Sequence, residues 1–284
     1  MKKQKNSSAW MALPLYIFTI VFVICPLLYV VALSFATPNR GYGVTWKFTL
    51  DNYKNILEPV YLNTFVVSLK LALTSTAAIV LIGYPFGYFM AKLPEHRKKK
   101  AHLLLTLPFW VNSLIRLYGW IIILQKKGLL NFVLMKLGLI KKPLAILYSY
   151  PAIVVGMIYV LLPFMIMSVY SSAEKLDWSY VEAARDLGAS RVQAFFTVTL
   201  KLTLPGLLSG VILTFVPSMG LFFIADILGG NKIVLVGSLI QDQMTRGSNW
   251  PFAAALAVVM MVLTTVMIMI YRKVSNAREL EGIG

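Results

Sequence analysis

Six apolar runs, each long enough to cross a lipid bilayer, dominate this 284-residue sequence. They are placed at residues 12–35, 62–91, 101–124, 145–170, 202–225 and 251–271. A hydrocarbon core of about 30 Å takes about 20 apolar residues as a helix. Within it every backbone N–H and C=O must find a partner inside the protein, so runs of this length fold as helices. The expected fold is therefore an all-α integral membrane protein with six transmembrane helices. The second run exceeds one crossing, so it tilts or protrudes. Only 13% of the residues are charged, against about 25% in soluble domains. The mean hydropathy of +0.75 points the same way.

The net charge of +16 would suit a nucleic-acid partner. Its distribution does not: the basic residues sit in short clusters beside the apolar runs, as positive-inside loops do. The single cysteine, Cys25, excludes a disulfide framework. His96 and His102 both lie at the basic cluster "EHRKKK" (95–100), which argues against a Cys/His metal site. The first run, 12–35, is too long for a signal-peptide core of about 7–15 residues and is read as a retained span.

Placing the N-terminus in the cytoplasm puts the larger share of Lys and Arg inside. Lys2, Lys3, Lys5 and the "EHRKKK" loop carry that bias, and the basic segment 126–142 opposes it outside. The expected topology is N-in and C-in. Residues 126–144 contain "LLNFVLMKLGLI", which suits a short helix along the outer surface. Residues 1–284 are read as one transmembrane domain with no attached soluble domain.

On this topology residues 178–201 face the cytoplasm between the fourth and fifth spans. Asp177 suits an N-cap, and Trp178, Val181, Ala184 and Leu187 recur on one helical face. Gly188 suits the left-handed residue that ends such a helix. Ser190 and Gln193 then fit a capping box that opens a second helix. Periodicity alone leaves two readings open: an amphipathic pair lying on the membrane, or a docking element for a cytoplasmic partner.

The stretch "EAARDLGAS" (182–190) resembles the EAA loop of permease subunits of ABC importers. Glu182, Ala183, Ala184 and Gly188 match the motif. Val198 stands for its isoleucine, Leu200 matches, and Lys201 stands where a proline is expected, with Pro205 four residues later. Further stretches resemble the permeases of bacterial spermidine/putrescine importers: "FTLDNY" (48–53), "YPFGYFMAKLP" (84–94), "PFWVNSLIRLYGW" (108–120), "LLPFMIMSVYSSAEKLD" (161–177), "MGLFFIADILGG" (219–230) and "NWPFAAA" (249–255). The resemblance implies a coupling helix that seats in a groove of a separate ATPase of PotA type. It also implies a second permease of PotC type, forming a heterodimer, and a periplasmic binding protein of PotD type. ATP and magnesium would then be held by the ATPase, and the chain would be no enzyme. In keeping with this, the sequence has no G-x-x-x-x-G-K-[ST] phosphate loop and no credible Ser/His/Asp set.

A path for a flexible polycation should offer carboxylates and aromatic faces. Candidates for substrate contact or gating are Asp226, at the end of the fifth span, and Trp110 and Arg116 in the third. Tyr42, Trp46 and Tyr53 lie in the first outer segment. Arg116 is expected to pair with Asp226 at an outer gate. The structural readings are equally open here: Arg116 bonded to carbonyls, and the outer aromatics forming an interfacial belt. Two other functions compete: a permease for another ABC-importer substrate, and a self-contained secondary transporter. The latter favours internal repeats and helices broken near the midplane, and neither is evident in the sequence.

Overall fold

The computed structural model of the chain describes residues 13–39 and 43–281, and their side chains apart from 272 and 274–281. Lys2, Lys3, Lys5 and Tyr42 therefore lie outside the described residues. Six stretches are long and apolar enough to cross a membrane: Leu13–Ser34, Pro59–Ala91, Ser113–Lys136, Tyr150–Glu174, Arg191–Gly220 and Trp250–Tyr271. Among the described residues the only strands are Thr37–Pro38 and Val44–Thr45, an antiparallel pair of two residues each. The fold is otherwise all-α.

In chain order the helices are α1 (Leu13–Ser34), α2 (Asp51–Ile56), α3 (Pro59–Ala91), α4 (Glu95–Thr106), α5 (Ser113–Leu124) and α6 (Leu129–Lys136). They continue with α7 (Tyr150–Glu174), α8 (Ser179–Asp186), α9 (Arg191–Gly220), α10 (Phe222–Gly229), α11 (Val236–Thr245) and α12 (Trp250–Glu281). The described residues form two compact units, one of those up to 63 together with 239–265, the other of 64–238 and those from 266 onward.

In the first unit, the connection after α1 is held by a buried amide. Asn52 donates from Nδ2 to the carbonyls of Ser34 and Ala36, both at 2.9 Å. Tyr53 and Ser34 share a hydrogen bond of 2.6 Å between their hydroxyls. Within α1, residues Ile20–Ile24 form a π-turn directly before Pro26. A proline has no N–H and crowds the carbonyl four residues back, so the ladder shifts by one residue there.

In the second unit α7 is the core helix. Ile153, Met157, Met165 and Val169 on it are fully buried. Between spanning helices the hydrophobic effect supplies little, and close van der Waals packing of small residues supplies most. Glycines make that approach possible. A Cβ at Gly87 of α3 would stand 2.7 Å from the Ile166 carbonyl oxygen, and one at Gly206 of α9 would stand 2.7 Å from that of Ser168. Hydroxyls complete the contacts. Ser168 Oγ donates to the Gly206 carbonyl at 2.9 Å, and Tyr84 and Thr203 are hydrogen-bonded at 2.7 Å.

Two runs depart from their expected course. The third, expected at 101–124, is broken in its middle. α4 passes into a 3-10 turn at Leu107–Trp110, Val111 is extended, and α5 restarts at Ser113. Pro108 cannot donate to the ladder, and the Asn112 side chain accepts the Leu114 N–H at 2.8 Å, capping the new helix. The apolar stretch of this region is Ser113–Lys136, which includes the short helix α6 predicted within 126–144. The fifth run begins earlier than expected, at Arg191, and ends at Gly220. The chain turns at Leu221, after Pro217, before α10.

Candidate functional site

The hairpin after α7 is built from local signals. Asp177 accepts the Ser179 backbone N–H at 3.0 Å, which holds its carboxyl below the ordinary aspartate range. The helix starts one residue beyond the expected Trp178. At its end Gly188 has φ +91°. The Gly188 N–H reaches the Arg185 carbonyl and the Ala189 N–H the Ala184 carbonyl, each at 3.0 Å, which is a Schellman ending. The capping box then forms in full: Gln193 N–H to Ser190 Oγ at 3.2 Å, and Ser190 N–H to Gln193 Oε1 at 2.9 Å.

Glu182, Ala183 and Gly188 are exposed, and Ala184 is half-buried. Trp178, Val181 and Ala184 turn inward as a stripe. Leu187 does not follow them and is 90% exposed, because the chain already unwinds there toward Gly188. Tyr180, Val192 and Phe196 are exposed too, so the hairpin presents apolar side chains as well as the acid of Glu182. Lys201, in place of the motif's proline, is exposed on an uninterrupted helix that runs from Arg191 through a π-turn at Phe195–Thr199.

The inward stripe meets an aromatic box that sequence reasoning missed. Trp178 packs edge-on against Tyr88 at 5.8 Å, and Phe195 against Tyr84 and Tyr88 at 5.9 and 5.8 Å. The Lys92 ammonium lies 4.3 Å from the Tyr88 ring centroid and 4.6 Å from that of Trp178. The i, i+4, i+8 spacing of Tyr84, Tyr88 and Lys92 was a signal that could have found it. A second missed contact ties α4 to α7. Lys98 Nζ reaches Glu174 at 3.3 Å, Tyr170 donates to the same carboxylate, and His102 packs on Tyr170. Both ends of the segment entering the hairpin are thus fastened to neighbouring helices.

Trp110 ends the 3-10 turn at the break in the third run, and Arg116 lies on α5 beyond it. Trp110 is 78% exposed. The Arg116 guanidinium donates from Nη2 to Ser113 Oγ at 3.0 Å and lies over the rings of Tyr159 and Phe109, at 5.4 and 5.8 Å. A cavity of about 620 Å³ opens beside the break, between Phe109 and residues 111–114 on one side and Phe222 and Phe223 of α10 on the other. Asp226 lies further along α10, which packs on α5, and accepts from Ser238 Oγ at 3.1 Å. Ser113 and the rings hold Arg116, while Ser238 binds Asp226.

Trp46 and Tyr53 belong to the first unit. Trp46 is exposed, with its ring edge toward Tyr29 at 6.2 Å. Tyr53 is half-buried, bonded to Ser34 and packed on Phe35 at 5.2 Å. Among the described residues no three His, Cys, Asp or Glu side chains are placed to hold a metal ion.

Comparison with known proteins gives this architecture a place. Residues 6–279 match the family described as the inner membrane component of binding-protein-dependent transport systems. The chain is 43% identical over 257 residues to the spermidine/putrescine transport system permease protein PotB of Escherichia coli (strain K12), covering 90% of this chain and 94% of that one. It is 41% identical over 257 residues to PotB of Haemophilus influenzae, covering 90% of each. Among solved structures, a chain of a bacterial alginate ABC transporter in complex with its alginate-bound periplasmic protein superposes with a TM-score of 0.73. It has 16% identity and covers 97% of this chain and 96% of that chain, which is a likeness of fold. With six apolar helices in sequence and a family match over nearly its whole length, the chain belongs to the inner membrane components of binding-protein-dependent transport systems, as a multi-pass permease subunit.

Proposed function

We propose that the chain is the permease of an ATP-driven polyamine importer for spermidine or putrescine, with residues 1–284 forming one transmembrane domain. The substrate class is supported by identity above 40% to permeases named for spermidine and putrescine. A second permease of PotC type completes the translocation path as a heterodimer. A PotD-type binding protein delivers substrate at the periplasmic face, and PotA-type subunits hold ATP and magnesium.

The reading is N-in and C-in, with the hairpin on the cytoplasmic side. One observation carries the coupling role: the Glu182-Ala183-Ala184…Gly188 helix stands exposed on a capped hairpin whose inward face is fastened to α3. Small side chains at 183 and 184 admit close approach by a partner, and Glu182 offers a carboxylate to a basic group there. Force on α8 then reaches α3 through the Trp178–Tyr88–Lys92 contacts and α9 through Phe195. For the path we assign Trp110, Arg116 and Asp226 at the third and fifth runs, and Trp46 and Tyr53 at the outer entrance.

The test is ATP-driven uptake of labelled spermidine by the full complex in proteoliposomes. Glu182→Lys should abolish uptake and weaken co-purification with the ATPase while the two permeases still assemble. Gradient-driven spermidine transport by the isolated chain would overturn the proposal. Asp226→Asn should alter uptake with docking intact; unchanged uptake would remove Asp226 from the path.

A further inference from the structure

The segment 125–144, between α5 and α7, carries charge against the positive-inside tendency. On the N-in reading, on which this inference rests, it lies at the outer face. Yet it holds Lys126, Lys127, Lys136, Lys141 and Lys142, and no Asp or Glu occurs between Glu95 and Glu174. Among the described residues none of these five lysines makes an ion pair.

The fold draws four of them together. Asn131 of α6 is fully buried. Its Nδ2 donates to the carbonyls of Gln125 and Leu144 at 3.3 and 2.9 Å, and its Oδ1 accepts the Leu144 N–H at 2.8 Å. One amide thus joins the two ends of the loop, and Lys126 and Lys127 follow one end while Lys141 and Lys142 precede the other. Gly128 permits the first turn: a Cβ there would stand 2.5 Å from the carbonyl oxygens of Ile122 and Ile123.

Gathering ammonium groups with no carboxylate among them raises their mutual repulsion, which a bound anion relieves. The rest of the loop says what kind of anion. Leu129, Phe132, Leu137 and Leu139 are each more than half exposed. Large apolar side chains interleaved with lysines describe an element that lies in a membrane interface, with its apolar groups among the acyl chains and its cations at headgroup level. Free phosphate would satisfy the lysines alone. A phospholipid with an anionic headgroup satisfies both with one molecule.

We propose that residues 125–144 are a docking surface for anionic phospholipid of the outer leaflet. The lysine pairs gathered by Asn131 hold the headgroup phosphates, and Leu129, Phe132, Leu137 and Leu139 pack on the acyl chains.

The experiment exposes the complete importer in detergent to phosphatidylglycerol or phosphatidylcholine and counts the lipid retained by native mass spectrometry. The unmodified importer should prefer phosphatidylglycerol. The fourfold variant K126Q/K127Q/K141Q/K142Q should retain roughly tenfold less of it or lower still, and K126R/K127R/K141R/K142R should keep it. Equal retention by the glutamine variant, or displacement of the lipid by inorganic phosphate, overturns the proposal. Should the fourfold variant fail to assemble, K141Q/K142Q decides by the same count. A glutamine variant that keeps its lipid but loses stimulation of ATP hydrolysis by the binding protein also overturns it, and gives the lysines to an acidic protein surface. Topology is read separately, from Lys142→Cys in a Cys25→Ser background. Labelling by a membrane-impermeant maleimide only after the cells are opened refutes the N-in reading instead, while the lipid count still judges the loop.

Discussion

The hairpin at 178–201 and the break at 107–112 use the same device, a polar side chain capping a helix start, in opposite surroundings. Ser190 caps α9 in a stretch rich in charge, where water is available to any group the cap releases. Asn112 caps α5 at the edge of the apolar stretch Ser113–Lys136, among Phe109, Trp110, Val111 and Leu114, in less polar surroundings. In the hairpin the cap, the left-handed glycine and the charge pattern all announce themselves against a polar background. In the third run they are hidden by apolar neighbours that satisfy any hydropathy criterion whether the helix continues or not. Helix breaks in membrane segments are therefore read from donors and caps rather than from hydropathy.

The largest expected effect comes from backbone approach. Gly87→Leu puts side-chain atoms where the Ile166 carbonyl lies, so folded protein recovered from the membrane should fall several-fold by size-exclusion chromatography. Next, Gly188→Val forces a β-branched residue to φ +91°, at about 1–2 kcal/mol or more. It should cut ATP-driven uptake by roughly tenfold while thermal stability of the spans barely changes; unchanged uptake would mean that the hairpin angle does not matter.

The two caps provide the direct comparison. Asn112→Ala should cost about 1–2 kcal/mol, read as a lower melting temperature of the purified permease, with Asn112→Asp recovering part of it. Ser190→Ala should cost about 0.5–1 kcal/mol, visible as faster hydrogen exchange at Gln193. An equal or larger effect at Ser190 would break the argument that the surroundings set the value of a cap. The smallest effect is pH-dependent. The Asp177 carboxyl is depressed by the Ser179 N–H, so its contribution is present above the ordinary aspartate pKa of about 3.9. It is lost as pH falls through the lower folded value. Exchange at the Ser179 amide should thus show no titration of this bond between pH 6 and 8, and Asp177→Asn should weaken protection across that whole range.

Much of the molecule was legible along the chain. Six apolar runs required six helices, because lipid offers the backbone no other partner. The hairpin's capping box and its glycine were legible because their partners lie within a few residues in sequence. The absence of a G-x-x-x-x-G-K-[ST] phosphate loop was equally legible in the sequence. Tertiary structure alone decided what depends on distant residues. The Trp178–Tyr88–Lys92 box joins α8 to α3, and Lys98 meets Glu174 across 76 positions. Arg116 settles on Ser113, Phe109 and Tyr159, and Asp226 binds Ser238 on a segment beyond its own helix. The physical reason is range: a cap or a helical ladder is closed by neighbours in sequence, whereas a charge in an apolar span takes whichever ring or hydroxyl the packing of other helices brings to it.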